Sequence, residues 1–403
     1  MAKEGIRKVV VIGTGYVGLP LSIALARNGY QVVGVDINRQ VVRAINEGIL
    51  HIAEKDLKAI FQERPVRENL IAQETPCEAD AFVIAVPTPL DKRKEVCDLS
   101  HVISAVDSIT PYLRKGNLVI IESTVPPLTC RETIAPLIER QTGLKVGVDI
   151  HLAHCPERVL PGNIFFEIEN NDRVIGGLTK EAASLARELY ISFVKGSIYL
   201  TDDVTAEFCK LAENTYRDVN IALANELALV AETLGIDAIM AIELANRHPR
   251  VKILNPGIGV GGHCIPIDPW FLKEVDPKNT SVVLAARRVN DRMPSVVAGK
   301  IRRAVKEIAD PKIVTLGMTY KPETYDLRES PALEIVRELR EDGYDVHSYD
   351  PLVEGHGYSS ISDIAENADL LVVLVPHKPI VNELSLDGER IKERMRTPRI
   401  MRP

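Results

Sequence analysis

At 403 residues the chain is too long for one compact core and suits two or three domains. Its 45% hydrophobic and 26% charged residues, with a mean hydropathy of +0.00, belong to an ordinary globular protein and speak against collagenous, low-complexity and membrane-buried classes. A formal charge of -7 argues against a polyanion-binding surface, whose affinity needs clustered Lys and Arg, so nucleic acid is not an expected partner.

The opening M-A-K-E-G-I-R-K carries charge, runs straight into a strand pattern and has no apolar signal core, so export is not expected. No apolar run reaches the ~18 to 20 residues of a transmembrane helix. Cys77, Cys97, Cys130, Cys155, Cys209 and Cys264 are spread too thinly for a disulfide scaffold. The expectation is a cytoplasmic protein with reduced thiols and no membrane association.

Residues 8 to 36 predict strand, glycine turn, helix and strand, with the helix stopping at Gly29. Gly13, Gly15 and Gly18 form G-x-G-x-x-G around Tyr16 and Val17, and Asp36 closes the second strand. The first glycine permits a tight turn, the second admits a pyrophosphate to the backbone, and the third allows close helix packing. Asp36 can accept both ribose hydroxyls and repels a 2′-phosphate, which predicts NAD rather than NADP.

Buried-strand runs follow at 81 to 86 and 118 to 122, and their alternation with helices predicts a parallel sheet covered on both faces. Residues 203 to about 235 contain no Pro and no internal Gly, which predicts one helix of ~45 Å. Its second half is apolar on nearly every face, so a subunit interface, and hence a homodimer or dimer-based oligomer, is expected there. The last third repeats the first: V-T-L-G-M-T-Y at 314 to 320 echoes V-I-G-T-G-Y, and A-D-L-L-V-V-L-V-P at 368 to 376 echoes A-D-A-F-V-I-A-V-P at 79 to 87. Ser330 as N-cap, Pro331 at the first helical position and Gly343 beyond the end mark the helix of this second copy. Lacking the glycine triad, the second copy should bind something other than a dinucleotide pyrophosphate. The predicted fold is α/β, with two Rossmann-like doubly wound parallel-sheet domains joined by a central helical domain with one long helix. Its expected boundaries are 1–200, 201–300 and 301–403.

The segment N-P-G-I-G-V-G-G-H-C-I-P-I-D-P-W at 255 to 270 carries the chemistry. Glycines 257, 259, 261 and 262 allow a loop to lie against a ligand, with Cys264 as a nucleophile and Asp268 four residues on. Lys210 and Asn214, four apart on the long helix, share a face and can steady an oxyanion. His151, His154 and Cys155 with His263 and Cys264 raise a zinc alternative; no Cys-x-x-Cys accompanies them, and no metal is expected.

With H-C-P-E-R-V-L-P-G at 154 to 162, A-N-R-H-P-R-V at 245 to 251, G-V-G-G-H-C-I-P-I-D-P-W-F at 259 to 271 and Y-K-P-E-T-Y-D-L-R-E-S-P-A at 320 to 332, the chain resembles the UDP-glucose/GDP-mannose dehydrogenase family from residue 8 to about 376. Within that family it looks most like the branch acting on UDP-N-acetylmannosamine. The UDP-glucose branch carries P-E-F-L-R-E and G-G-x-C-F-P-K-D, where Pro161 and Ile267 stand here. The resemblance implies a four-electron oxidation of a UDP-sugar with NAD, through a thiohemiacetal and a thioester on Cys264. It implies that Lys210 and Asn214 steady the oxygen, that Asp268 and Thr124 orient water and protons, and that Glu157 is the remaining carboxylate. Pro161 cannot serve as the hydrolytic base. The resemblance assigns Arg158, Val159, Arg217, His248, Arg250, Gly261, Tyr320 and Lys321, with Lys210 and Asn214, to the sugar nucleotide, and Thr88, Thr124 and Arg328 to the cofactor. UDP-N-acetylglucosamine, UDP-glucose and GDP-mannose remain open as substrates of the same chemistry, and a non-catalytic NAD-sensing protein as a different class.

Overall fold

The computed structural model describes residues 5–52, 54–159, 162–355 and 357–403; Pro161 lies outside them. The chain divides into two compact units, Met1–Glu213 with Trp270–Pro277, and Asn214–Pro269 with Lys278–Pro403.

The first unit is built on an eight-stranded sheet. Its strands are β1 (Lys8–Ile12), β2 (Gln31–Val35), β3 (Leu70–Gln73), β4 (Ala81–Ile84), β7 (Leu118–Ile121), β8 (His151–His154), β9 (Arg173–Gly177) and β10 (Ile198–Asp202), with a small hairpin of β5 (Leu90–Asp91) and β6 (Val96–Cys97) between β4 and β7. The order is β10-β9-β8-β7-β4-β1-β2-β3. Strand β1 shows why this sequence makes a central strand. Val9 and Val11 point into one buried cluster and Val10 and Ile12 into another, so both faces of the period-2 pleat are covered. Each such side chain contributes roughly 1.5 to 3 kcal/mol of burial. The order reverses direction at β1, between β2 and β4, which opens a crevice at their carboxyl ends where doubly wound sheets bind ligands. The expectation of a wholly parallel sheet needs one correction: β9 runs antiparallel to β8, and β10 follows β9.

Helix Gly18–Arg27 is buried from Gly18 to Ala26 and stops as expected, with Gly29 left-handed at φ +87°. The long helix spans Asp203–Leu234, 32 residues without a Pro or Gly to interrupt its ladder. The division between units falls within it. Its second half is covered on one side only: Ala222, Ala224, Asn225 and Ala231 are buried, while Leu223, Leu227, Val230 and Leu234 are exposed.

The second unit contains helices Ala238–Ala245 and Ser281–Val305 and a four-stranded parallel sheet in the order β12-β11-β13-β14. These strands are β11 (Lys312–Leu316), β12 (Asp345–Tyr349), β13 (Leu370–Val373) and β14 (Ile400–Met401). Ser330 and Pro331 do begin the helix Pro331–Glu341, but the Ser330 hydroxyl makes no cap bond and donates instead to the Met318 carbonyl at 2.8 Å. Among the described residues no helix is long and apolar enough to cross a membrane.

Candidate active site

In the first unit the predicted residues gather at the carboxyl ends of the parallel strands. Gly13, Gly15, Tyr16, Val17 and Gly18 follow β1, Asp36 follows β2, Thr88 follows β4, Thr124 follows β7, and Glu157, Arg158 and Val159 follow β8. Gly13 is left-handed, and a Cβ there would meet the Ala85 carbonyl oxygen at 2.5 Å; at Gly15 a Cβ would meet nothing within 4 Å, so that face of the turn is open. Asp36 Oδ2 accepts from the Thr14 amide at 3.1 Å and the Thr14 hydroxyl at 2.9 Å, and Oδ1 accepts from the Asn38 amide at 2.9 Å. The carboxylate is fixed in direction and keeps a lone pair on Oδ1 for a further donor. Glycines, open turn and acid together fit an adenosine ribose and a pyrophosphate, with Asp36 opposing a 2′-phosphate. His51, which sequence reasoning missed, donates from Nε2 to the Thr14 carbonyl at 3.0 Å and so braces the turn.

Beneath Glu157 lies a second feature invisible in the sequence. Arg173 on β9 is buried and divided between two carboxylates, Glu157 Oε2 at 2.8 Å and Glu122 Oε1 at 3.4 Å. Its guanidinium lies 4.9 Å from the centre of the Tyr190 ring, and the Tyr190 hydroxyl donates to Glu122 Oε2 at 3.2 Å. One positive charge between two acids leaves one acid under-compensated in a dry setting, and burial pushes Glu122 up to about 8. Glu157 is further oriented by the Arg158 amide, which donates to its Oε1 at 2.6 Å. Arg158 itself pairs with Glu213 of the long helix through Nε at 3.0 Å.

Lys210 stands on the long helix one turn after Glu207. The buried Glu207 accepts from the amides of Leu128 at 2.7 Å and Cys130 at 2.8 Å, and so fixes the segment that follows Thr124. Burial pushes Glu207 up to about 7. His154 is fully buried, and desolvation, with Lys210 adding to it, brings its ring down to about 3, so it is neutral.

In the second unit the predicted residues converge on the glycine loop. Asn220 and Asn225 of the long helix accept from the amides of Leu254 at 3.0 Å and Gly257 at 2.8 Å, which anchors the start of the loop. A Cβ at Gly261 would meet the Glu329 carbonyl oxygen at 2.5 Å, and one at Gly262 the Tyr320 ring at 3.0 Å. The Gly262 amide donates to the Arg328 carbonyl at 3.1 Å. Cys264, Gly261, Tyr320 and the backbone of Arg328 are thereby brought together, and the Arg328 guanidinium pairs with Asp326. The Tyr320 hydroxyl is pushed up to about 12 by burial and by Asp326 and Cys264 nearby.

The Cys264 carbonyl accepts from the Asp268 amide at 2.9 Å, so the thiol precedes the first turn of helix Asp268–Val275. Asp268 is buried, and its Oδ2 accepts from Asn214 Nδ2 at 2.6 Å. Lys210 and Asn214 share a helix face, and Asn214 is already oriented by an acid. Arg217, His248 and Arg250 are exposed in this unit. The thiols differ in environment. Cys130 and Cys155 are fully buried and desolvation pushes both up, Cys155 to about 12, whereas Cys264 is partly exposed. Among the described residues no group of three or more His, Cys, Asp or Glu could hold a metal ion.

Three family models cover most of the chain: the NAD binding domain of the UDP-glucose/GDP-mannose dehydrogenase family over residues 7–194, its central domain over 204–292 and its UDP binding domain over 314–402. The UDP-N-acetyl-D-mannosamine dehydrogenase of Methanococcus aeolicus is 46% identical over 99% of this chain and 91% of its own length. That of Methanocaldococcus jannaschii is 47% identical over 97% and 90%. Among solved structures, the UDP-D-ManNAc dehydrogenase of Pyrococcus horikoshii matches with a TM-score of 0.92 and 43% identity, covering 98% of this chain and 94% of that one.

Proposed function

We propose, from the premise that this chain belongs to the UDP-glucose/GDP-mannose dehydrogenase family, that it oxidises UDP-N-acetyl-D-mannosamine to UDP-N-acetyl-D-mannosaminuronate with NAD. The observation that carries the chemistry is the setting of Cys264, since partial exposure alone is shared with Cys77 and Cys209. Cys264 is partly exposed on a glycine loop at a helix start, next to the Asn214–Asp268 pair, while Cys130 and Cys155 are sealed in the core.

In this reading the cofactor, held by Gly13, Gly15, Tyr16, Val17, Gly18, Asp36, Thr88 and Thr124, supplies hydride acceptance. Removal of a proton and a hydride from the C6 alcohol gives an aldehyde. The Cys264 thiolate adds to it, and Lys210 and Asn214 steady the oxygen of the resulting thiohemiacetal. Loss of a second hydride leaves a thioester, whose C–S bond breaks when water adds and the thiol is released. In sum, alcohol, water and two NAD give a carboxylate, two NADH and three protons. Asp268, Thr124 and Glu157 handle water and protons. Arg158, Val159, Arg217, His248, Arg250, Gly261, Tyr320 and Lys321 hold the sugar nucleotide, and Arg328 serves the cofactor. The functional domains are 1–200 for NAD, 201–300 for the helical middle and 301–403 for the UDP-sugar.

We further read the protein as a cytoplasmic homodimer. Tyr216, Leu223, Leu227, Val230 and Leu234 form an exposed stripe at spacings of three, four and seven along the long helix, suited to a second copy of itself. The reduced cysteines suit a reducing compartment. A panel of sugar nucleotides tests the substrate. The highest kcat/KM is expected with UDP-N-acetylmannosamine; a higher value with UDP-glucose or GDP-mannose would reassign the substrate, and no NADH with any of them would leave a cofactor-sensing protein.

A further inference from the structure

The two sheet domains repeat one another in sequence. Gly13 corresponds to Gly317, Gly15 to Thr319, Asp36 to Asp350 and Thr88 to His377. The local geometry of the first turn is kept. Gly13 and Gly317 are both left-handed, at φ +88° and +87°, and each donates its amide to the last residue of the neighbouring strand at 2.8 Å, Val35 in one copy and Tyr349 in the other. Both acids accept an amide from the turn: Thr14 to Asp36 at 3.1 Å, and Met318 to Asp350 at 2.6 Å.

The copies then part. In the first, Gly15 leaves the face of the turn open and Asp36 is half-buried. In the second, Thr319, Asp350 and His377 are all fully buried. His377 Nδ1 accepts the Glu323 amide at 3.0 Å, which puts the ring proton on Nε2, 3.0 Å from both Asp350 Oδ2 and Thr319 Oγ1. The Thr319 hydroxyl donates to the Lys321 carbonyl at 2.9 Å. Glu323 adopts φ +59°, a left-handed conformation that a side chain adopts only when held, and its carboxylate accepts the Lys378 amide at 2.7 Å. The turn carrying Tyr320 and Lys321 is thus gripped at both ends by one imidazole.

We propose that His377 is a positioning residue for the sugar nucleotide: from inside the protein it takes the place that a dinucleotide's ribose takes in the first copy, and by clamping Thr319 and Glu323 it sets the turn that presents Tyr320 and Lys321. This depends on the assignment of Tyr320 and Lys321 to the substrate made above. The acid of the second copy is spent on the clamp, so that copy has exchanged dinucleotide recognition for the rigidity of one turn.

Steady-state kinetics of the full chain, varying UDP-N-acetylmannosamine at saturating NAD and then the reverse, tests it. Thr319→Val, nearly isosteric, and His377→Ala should each raise the sugar-nucleotide KM about tenfold, the loss of one or two hydrogen bonds to a binding turn. The NAD KM should stay within about twofold, because only one ligand's site is loosened. His377→Asn, which keeps an acceptor for the Glu323 amide, should recover part of the loss. If His377→Ala does not fold, Thr319→Val carries the test. Lys321→Ala separates the two levels of the argument. If it raises the sugar-nucleotide KM while Thr319→Val and the folded His377 variants do not, the clamp is wrong and the substrate assignment stands. If Lys321→Ala leaves that KM unchanged, the assignment fails and the inference with it. An equal rise in both KM values would also overturn the clamp, since a general loss of structure has that signature.

Discussion

Replacing Glu122 by Gln tests whether the buried carboxyl pair has been read correctly. Glu122 is fully buried, receives Arg173 only at 3.4 Å, and is pushed up to about 8 from a usual 4.5 by desolvation, partly offset by Arg173. An acid with a raised folded-state value favours folding most at low pH. Its contribution is complete below the unfolded value and is lost as pH rises through the folded one, here between about 4.5 and about 8. From pH 6 to 8 the wild type should therefore lose roughly 2 to 3 kcal/mol through this one group, at about 1.4 kcal/mol per pH unit. Gln has the shape of the neutral acid, can accept from Arg173 through Oε1, and has nothing to titrate. At pH 6 the variant should be nearly as stable as the wild type. By calorimetry the wild-type midpoint should fall by roughly 5 to 10 °C more than the variant's between pH 6 and 8, using about 2 to 4 °C per kcal/mol for a unit of this size. Parallel pH profiles, or a variant badly destabilised at pH 6, would show that Glu122 is ionised in the folded protein and refute the reasoning.

Other consequences are direct. Asp36→Ala removes the acceptor for the ribose hydroxyls and the brace on Thr14, so the NAD KM should rise about tenfold or more and the preference over NADP should shrink, read from kcat/KM for both cofactors. Gly261→Ala would set a methyl 2.5 Å from the Glu329 carbonyl oxygen and displace the loop before Cys264; a kcat loss of about a hundredfold or more is expected, and wild-type turnover would contradict the geometry. Leu227→Arg, on the exposed stripe, should halve the mass seen by light scattering with little change in the fold, whereas an unchanged mass would move the interface elsewhere.

Much of the frame was legible because it is local. The β1 valines, the glycine turn, Asp36 and the long helix are contiguous patterns whose periods state which faces are covered. The echo of residues 79–87 in 368–376 likewise foretold a second sheet, since both strands are buried and need the same residues. What stayed hidden is non-local. Glu122, Glu157 and Arg173 sit on or after β7, β8 and β9, and only strand order makes neighbours of residues so far apart in sequence. The reversal of β9 leaves no mark, because a buried strand has the same composition in either direction. Ser330 occupied its expected cap position, yet its hydroxyl found the Met318 carbonyl. The uncovered stripe on the long helix has the same residues as a buried one, so all-round apolarity could not say which side faces solvent in one chain.

The central claim is that one chain carries a sugar alcohol to the acid through Cys264, and the yield of reduced cofactor measures it most directly. A limiting amount of UDP-N-acetylmannosamine, taken to completion with excess NAD, should give two NADH per sugar and the uronate as product, and Cys264→Ser should form no uronate at a comparable rate. One NADH per sugar with an aldehyde as product, or undiminished acid formation by Cys264→Ser, would contradict the account.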